Sequence, residues 1–135
     1  MESTATMLHQ AGLRATNART TIVNWLTRQH QPVRVEAVWE HTKKSGIDRV
    51  TVYRTMEALQ GAGIVQQVDL GHSHAHYELN DPQRHHHHLV CESCGAVKDV
   101  TIKVEAKLIR ELERQYNFRT RSHAIELFGL CQDCQ

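Results

Sequence analysis

Between His72 and Gly95 the chain carries seven histidines, Glu78 and a Cys-x-x-Cys pair, a density of borderline and soft ligands that points to divalent-metal chemistry. A second pair, Cys131 and Cys134, follows Gly129 at the end of the sequence. Each pair sets two thiolates on a tight turn, and Cys91, Cys94, Cys131 and Cys134 together make the tetrahedral four-sulfur shell that structural Zn²⁺ prefers. A redox disulfide or four unrelated buried thiols are the competing readings. Paired Cys-x-x-Cys in a chain without a secretory signal favours ligation.

The histidines divide by parity. From Ala75 the pattern has period two, so His76 and Glu78 share one face of a strand. Asn80-Asp-Pro reads as a turn, and His85 to Cys91 as a returning strand with His86 and His88 on one face. A hairpin would gather His76, Glu78, His86 and His88 into a regulatory site for Fe²⁺ or Zn²⁺, with Mn²⁺ and Ni²⁺ as further candidates. His85 and His87 would project to the other side, where Glu105 from a helix and His123 from before the last strand would complete a second site. The four-histidine run enters the apolar strand directly at Leu89, unlike a terminal tag followed by linker. His9, His30, His41 and His72 read as surface residues, with His30 and His74 as supplementary ligands.

The elements that must hold these ligands follow from the rest of the chain. A short helix over residues 5–12 stops at Gly12, and Thr16 caps a second with Ile22, Val23, Trp25 and Leu26 as its apolar stripe. Pro32 breaks that run, and Val35 to Lys44 forms a further helix ended by Gly46. Asp48 or Thr51 caps the next, in which Val52, Met56 and Leu59 recur at helical spacing before Gly63. Ile64 to Val68 then reads as a strand, and the whole as a winged helix-turn-helix. Beyond it the pattern predicts strands over Val97 to Ile102 and Ala124 to Leu130. Between them lies a helix over residues 103–116 packed through Val104, Leu108, Ile109 and Leu112. The expected fold is α+β. A winged-helix domain over residues 1–70 precedes a small α/β metal-binding domain over 71–135, with Leu70 and Gly71 as the hinge.

At 135 residues and a formal net charge of +1, bulk charge neither demands nor excludes nucleic acid, and any basic surface must be local. No stretch is apolar enough to span a bilayer and the N-terminus lacks signal-peptide zones, so the expected location is cytoplasmic.

Several stretches together resemble the ferric uptake regulator (Fur) family of bacterial metal-dependent repressors. They are Ala11-Gly-Leu-Arg-Ala-Thr-Asn-Ala-Arg19, Thr51-Val-Tyr-Arg54, His85 to Gly95 and Ile125 to Cys134, in family order over nearly the whole length. The resemblance implies a DNA-binding domain, a hinge and a dimerisation domain, in a homodimer that reads an inverted-repeat operator in double-stranded DNA. It implies a four-cysteine structural zinc and a regulatory site including Glu78, His86 and His88. A further site maps onto His85, His87, Glu105 and His123. Pro32 stands where many members carry a bridging histidine, leaving His30, His74 and His76 as alternatives. In the resemblance Tyr53 and Arg54 lie on the recognition helix, beside Thr51, and Arg14, Thr16 and Arg19 anchor the phosphate backbone. Metal would set the angle between domains and so the spacing of two recognition helices, by population shift.

Two other classes compete. A zinc hydrolase with Glu78 as base would need an open coordination position, and no His-Glu-x-x-His helix is present. A metal-storage or chaperone protein would account for the histidines but leave Thr51 to Arg54 without purpose. Regulation without enzymatic activity is the reading the residues favour. Peroxide sensing would need more carboxylate in the shell than the strand pattern places there.

Overall fold

Three hydroxyl or carboxylate side chains start three of the four α-helices of the N-terminal half by accepting otherwise orphaned backbone N–H groups. Ser3 Oγ accepts from Thr6 to open α1 (Thr4–Gln10), and Thr16 Oγ1 accepts from Arg19 to open α2 (Asn17–Thr27). Asp48, not Thr51, caps α4 (Arg49–Gly61), with Thr51 N–H donating to its carboxylate at 2.7 Å. Between them, α3 (Val35–Thr42) runs into a 3-10 turn that Gly46 closes at φ +80°, a left-handed conformation that glycine adopts without a Cβ penalty. The computed structural model that shows these elements describes residues 3–71, 74–80, 86–121 and 123–135.

The chain forms two units, Met1–Gln83 and Arg84–Gln135. In the first, α2, α3 and α4 close on Ile22, Val23, Val38, Val52, Met56 and Leu59, each at most 2% exposed. Burying a side chain of this kind stabilises by roughly 1.5–3 kcal/mol before entropy is set against it. Val65–Val68 forms β1 and His76–Leu79 forms β2, paired antiparallel with His76 opposite Val68 and Glu78 opposite Gln66. Val33 flanks β2 on its other edge through two backbone bonds to Tyr77. This is the winged helix-turn-helix expected from the sequence.

The expected hairpin joining His76–Leu79 to the histidine-rich strand is not formed. Tyr77 and Leu79 pack against the helical core, so β2 completes the wing, where its apolar face is covered. The boundary accordingly falls after Gln83 rather than at 70/71. The Asp81-Pro82 turn lies outside the described residues.

In the second unit, β3 (His87–Cys91) is central, with β4 (Val97–Val100) antiparallel on one side and β5 (Glu126–Gly129) parallel on the other. Parallel pairing needs a crossover, which α5 (Glu105–Tyr116) supplies. The helix ends at Asn117 in the left-handed region (φ 50°), which asparagine tolerates better than most residues. Its apolar stripe does not pack as the periodicity suggested. Glu105, Ile109 and Glu113 are its more buried positions, whereas Val104, Leu108, Leu112 and Tyr116 are 67%, 53%, 47% and 67% exposed. Among the described residues of this unit, Val90 and Cys91 are the only buried members of the hydrophobic core.

Candidate metal centres and nucleic-acid interface

At its C-terminal end β3 turns through Gly95, while β5 delivers Gly129 opposite Cys91 and places the last two cysteines nearby. Cys91, Cys94, Cys131 and Cys134 are free thiols whose sulfurs all lie within 4.8 Å of one another. The Cys94 to Cys131 sulfur separation is 3.8 Å, matching the edge of a tetrahedron built on a Zn–S length of about 2.3 Å. Backbone N–H groups of Cys94 and Cys131 donate to Cys91 Sγ at 3.5 and 3.4 Å, pulling that thiol down to about 6, so it is a thiolate at neutral pH. Its neighbour Cys134 is pushed up to about 12, first by its contact with Cys131. Thiols crowded this closely resist shedding their protons until a dication compensates the charge. The four-sulfur set expected from the sequence is thus assembled, and its donors fit Zn²⁺.

Alternation along β3 sends its histidines to opposite faces. On one face, His88 lies opposite both Asp99 on β4 and Glu126 on β5, and directly paired residues share a side of the sheet. His88, 2% exposed, has Nε2 3.6 Å from Asp99 and Nδ1 3.8 Å from Glu126. The His86 ring sits edge-on to His88 at 5.0 Å, with Nε2 4.0 Å from the other Asp99 oxygen. Asp99 and Glu126 are not among the residues the sequence predicts for a site. Only strand register brings them beside His88, and no local spacing announces it.

On the opposite face, His87 Nε2 approaches Glu105 Oε1 at 2.5 Å, and His123 Nε2 meets the same oxygen. His87 and Glu105 are nearly buried, at 3% and 11% side-chain exposure, and His123 closes the outer side at 30%. These three donors converge within 4.8 Å. Two imidazoles and a carboxylate suit zinc, iron, manganese or nickel. Ile125 N–H donates to His87 Nδ1 at 3.2 Å, so a neutral His87 in this arrangement carries its hydrogen on Nε2 and gives it to Glu105. Coordination through Nε2 would move that hydrogen to Nδ1 and end the Ile125 bond. His85, the fourth ligand expected here, lies outside the described residues.

His76 and Glu78 belong to the first unit. Glu78 accepts from Gln66 Nε2 at 2.8 Å across the wing, and His76 Nδ1 lies 3.1 Å from the His74 carbonyl. His74 itself is 3.3 Å from Arg34 Nη2, and His30 is exposed. His72 is outside the described residues.

The candidate DNA face is on α4. Tyr53 is not a core residue: it is 41% exposed, and its hydroxyl donates to Glu36 at 3.1 Å. Arg54 is exposed beside it. Thr51 is half-buried in the first turn. Near the N-terminus Arg14 is exposed, whereas Arg19 donates from Nη1 to the Arg14 carbonyl and Thr16 acts as the α2 cap. Those last two residues therefore shape the loop that presents Arg14.

A profile of the ferric uptake regulator family matches residues 10–128. The peroxide-responsive repressor PerR of Staphylococcus aureus is 26% identical over 137 residues, covering 100% of this chain and 91% of that protein. The crystal structure of the Vibrio cholerae ferric uptake regulator superposes with a TM-score of 0.72 at 32% identity, covering 93% of this chain and 97% of that one. The ferric uptake regulator of Pseudomonas aeruginosa, solved with manganese, superposes at 0.83 with 26% identity, covering 97% and 99%.

Proposed function

Because this chain belongs to the ferric uptake regulator family, we propose that it is a metal-responsive transcriptional repressor of metal-homeostasis genes, acting as a homodimer on inverted-repeat DNA in the cytoplasm. The observation that carries this reading is β3 itself. Its end supplies two of four clustered thiols, and its alternate histidines set imidazole nitrogens beside carboxylates on each face of one sheet. A storage protein has no use for the separate wing and recognition helix. Among the described residues no helix is long and apolar enough to cross a membrane.

In this reading His86 and His88 form the core of the regulatory site, with Glu78 as the family resemblance assigns it and Asp99 as a further oxygen donor. Metal acts by population shift: it must bind the DNA-competent arrangement more tightly than the alternatives, and DNA must raise metal affinity in return. His88→Ala is then expected to abolish the gain in operator affinity on adding metal, about 5- to 150-fold for such coupling, while zinc held by the cysteines stays at one per chain. Anisotropy with buffered metals and elemental analysis check both halves, and a variant that still responds to metal would remove His88 from the site.

Recognition rests on α4. Arg54→Ala is expected to weaken operator binding by about 5- to 150-fold, the range for one lost base or phosphate contact, with zinc content and dimer mass unchanged. Equal affinity of variant and parent would exclude Arg54 from the interface.

A second reading, peroxide sensing, gains from Asp99 and Glu126, which put more carboxylate beside His86 and His88 than the strand pattern placed there. Operator release by hydrogen peroxide from the Fe²⁺-loaded but not the Mn²⁺-loaded protein would support it.

A further inference from the structure

The exposed face of α4 carries a feature that the motif Thr51 to Arg54 does not include. Val50 is 57% exposed in the first turn of the helix, while Val52, two residues on, is fully buried and supplies the core contact there. Tyr53, at i+3 from Val50, is 41% exposed, and Arg49, Val50, Tyr53, Arg54 and Glu57 line one shallow recess of about 310 Å³. The Arg49 guanidinium lies 5.4 Å from the Trp39 ring and 6.0 Å from the Tyr53 ring, within cation–π range. The Tyr53 hydroxyl is tied to Glu36. A β-branched apolar group and a pinned aromatic ring are therefore held side by side on the surface, with Arg49 and Arg54 beside them. Glu57 closes the far end, where its charge turns phosphate away.

We propose that Val50 is a base-reading residue, contacting the C5-methyl of one thymine while the Tyr53 ring contacts that of the adjacent thymine. The inference rests on the DNA-binding reading above. In the major groove the thymine C5-methyl is the one apolar group that projects far enough to be buried by a side chain, and the groups that otherwise distinguish base pairs there are hydrogen-bond donors and acceptors. An exposed valine on a recognition helix has nothing to offer those other groups. Three residues of helix advance about 4.5 Å, close to one base step of about 3.4 Å, so Val50 and Tyr53 address neighbouring base pairs. The arginines favour nucleic acid over a protein partner for this small patch, since they bring the cations that phosphates need.

The test is a uracil scan. An operator is first selected from genomic fragments with the zinc-loaded full chain and each regulatory metal in turn. Each thymine of one half-site is then replaced singly by deoxyuridine, which removes only the methyl, and affinities are read by anisotropy. The parent protein is expected to lose about fourfold at two adjacent positions, the value of one buried methyl-sized group. Val50→Ala should show no uracil penalty at one of them and keep it at the other. Val50→Thr, which retains one methyl and the branched shape, should show an intermediate penalty at that position. An unchanged penalty pattern in Val50→Ala, or no penalty anywhere in the parent, overturns the role of Val50 while leaving DNA binding intact. Absence of any selected DNA with every metal overturns the repressor reading, and this inference with it.

Discussion

Cys131→Ser is expected to empty the structural zinc site and unfold the second unit while leaving the winged-helix unit intact. The reason is the distribution of buried surface. The described residues of the second unit bury only Val90 and Cys91 as hydrophobic core, far too little to offset the ordering entropy of about fifty residues at roughly 1–2 kcal/mol each. Structural zinc in small domains contributes apparent binding free energies of about 10–16 kcal/mol, and that energy is folding energy. Losing one of four thiolates also removes a metal-mediated link between the β3 turn and the chain end. Elemental analysis should show zinc falling toward zero per chain. Heating should show an early transition for residues 84–135, well separated from that of the first unit. Full zinc content with a single unshifted transition would overturn the assignment.

The second large effect concerns the helix that faces outward. Leu108 and Leu112 stand one turn apart on α5, with Val104 and Tyr116 extending the stripe in both directions. Phe118, Leu127, Phe128 and Leu130 add further exposed apolar surface in the same unit, at 66%, 57%, 44% and 51%. So much exposed apolar surface in a unit with so small a core is the signature of an interface. In the proposed reading the occupant is a second copy of the chain, since a homodimer on an inverted-repeat operator needs such an interface. Leu112→Glu places a charge in that interface and is expected to yield a monomer by sedimentation. Operator affinity should fall by about 10²- to 10⁴-fold, the avidity lost when two half-sites are no longer engaged together. Retained dimer mass would mean that another surface pairs the chains.

Several features are legible in the residues alone. Thr16 announces a helix start because a cap is a local interaction, satisfied within three residues, whereas the choice of Asp48 over Thr51 is made only in the folded chain. The two Cys-x-x-Cys pairs announce a metal because their spacing already brings thiolates together on a turn. The alternation of His86, His87 and His88 is enough to assign them to opposite faces, since a strand allows no other arrangement.

What the residues by themselves do not determine is which strand each will meet. His76 and Glu78 have the right parity for the expected hairpin, yet Tyr77 and Leu79 on the opposite face need the helical core, and that burial draws β2 to β1. Asp99 and Glu126 lie 11 and 38 positions from His88 in sequence, and both are its direct neighbours once β3 takes the centre of its sheet. Stripe direction on α5 is undetermined in the same way. Periodicity reports that Val104, Leu108 and Leu112 share a face, but only the placement of Glu105 against His87 and His123 turns that face outward. Local bonds and period are properties of a segment and can be read from it. Register and facing are decided by competition among segments for burial, and that competition is settled only in the folded chain.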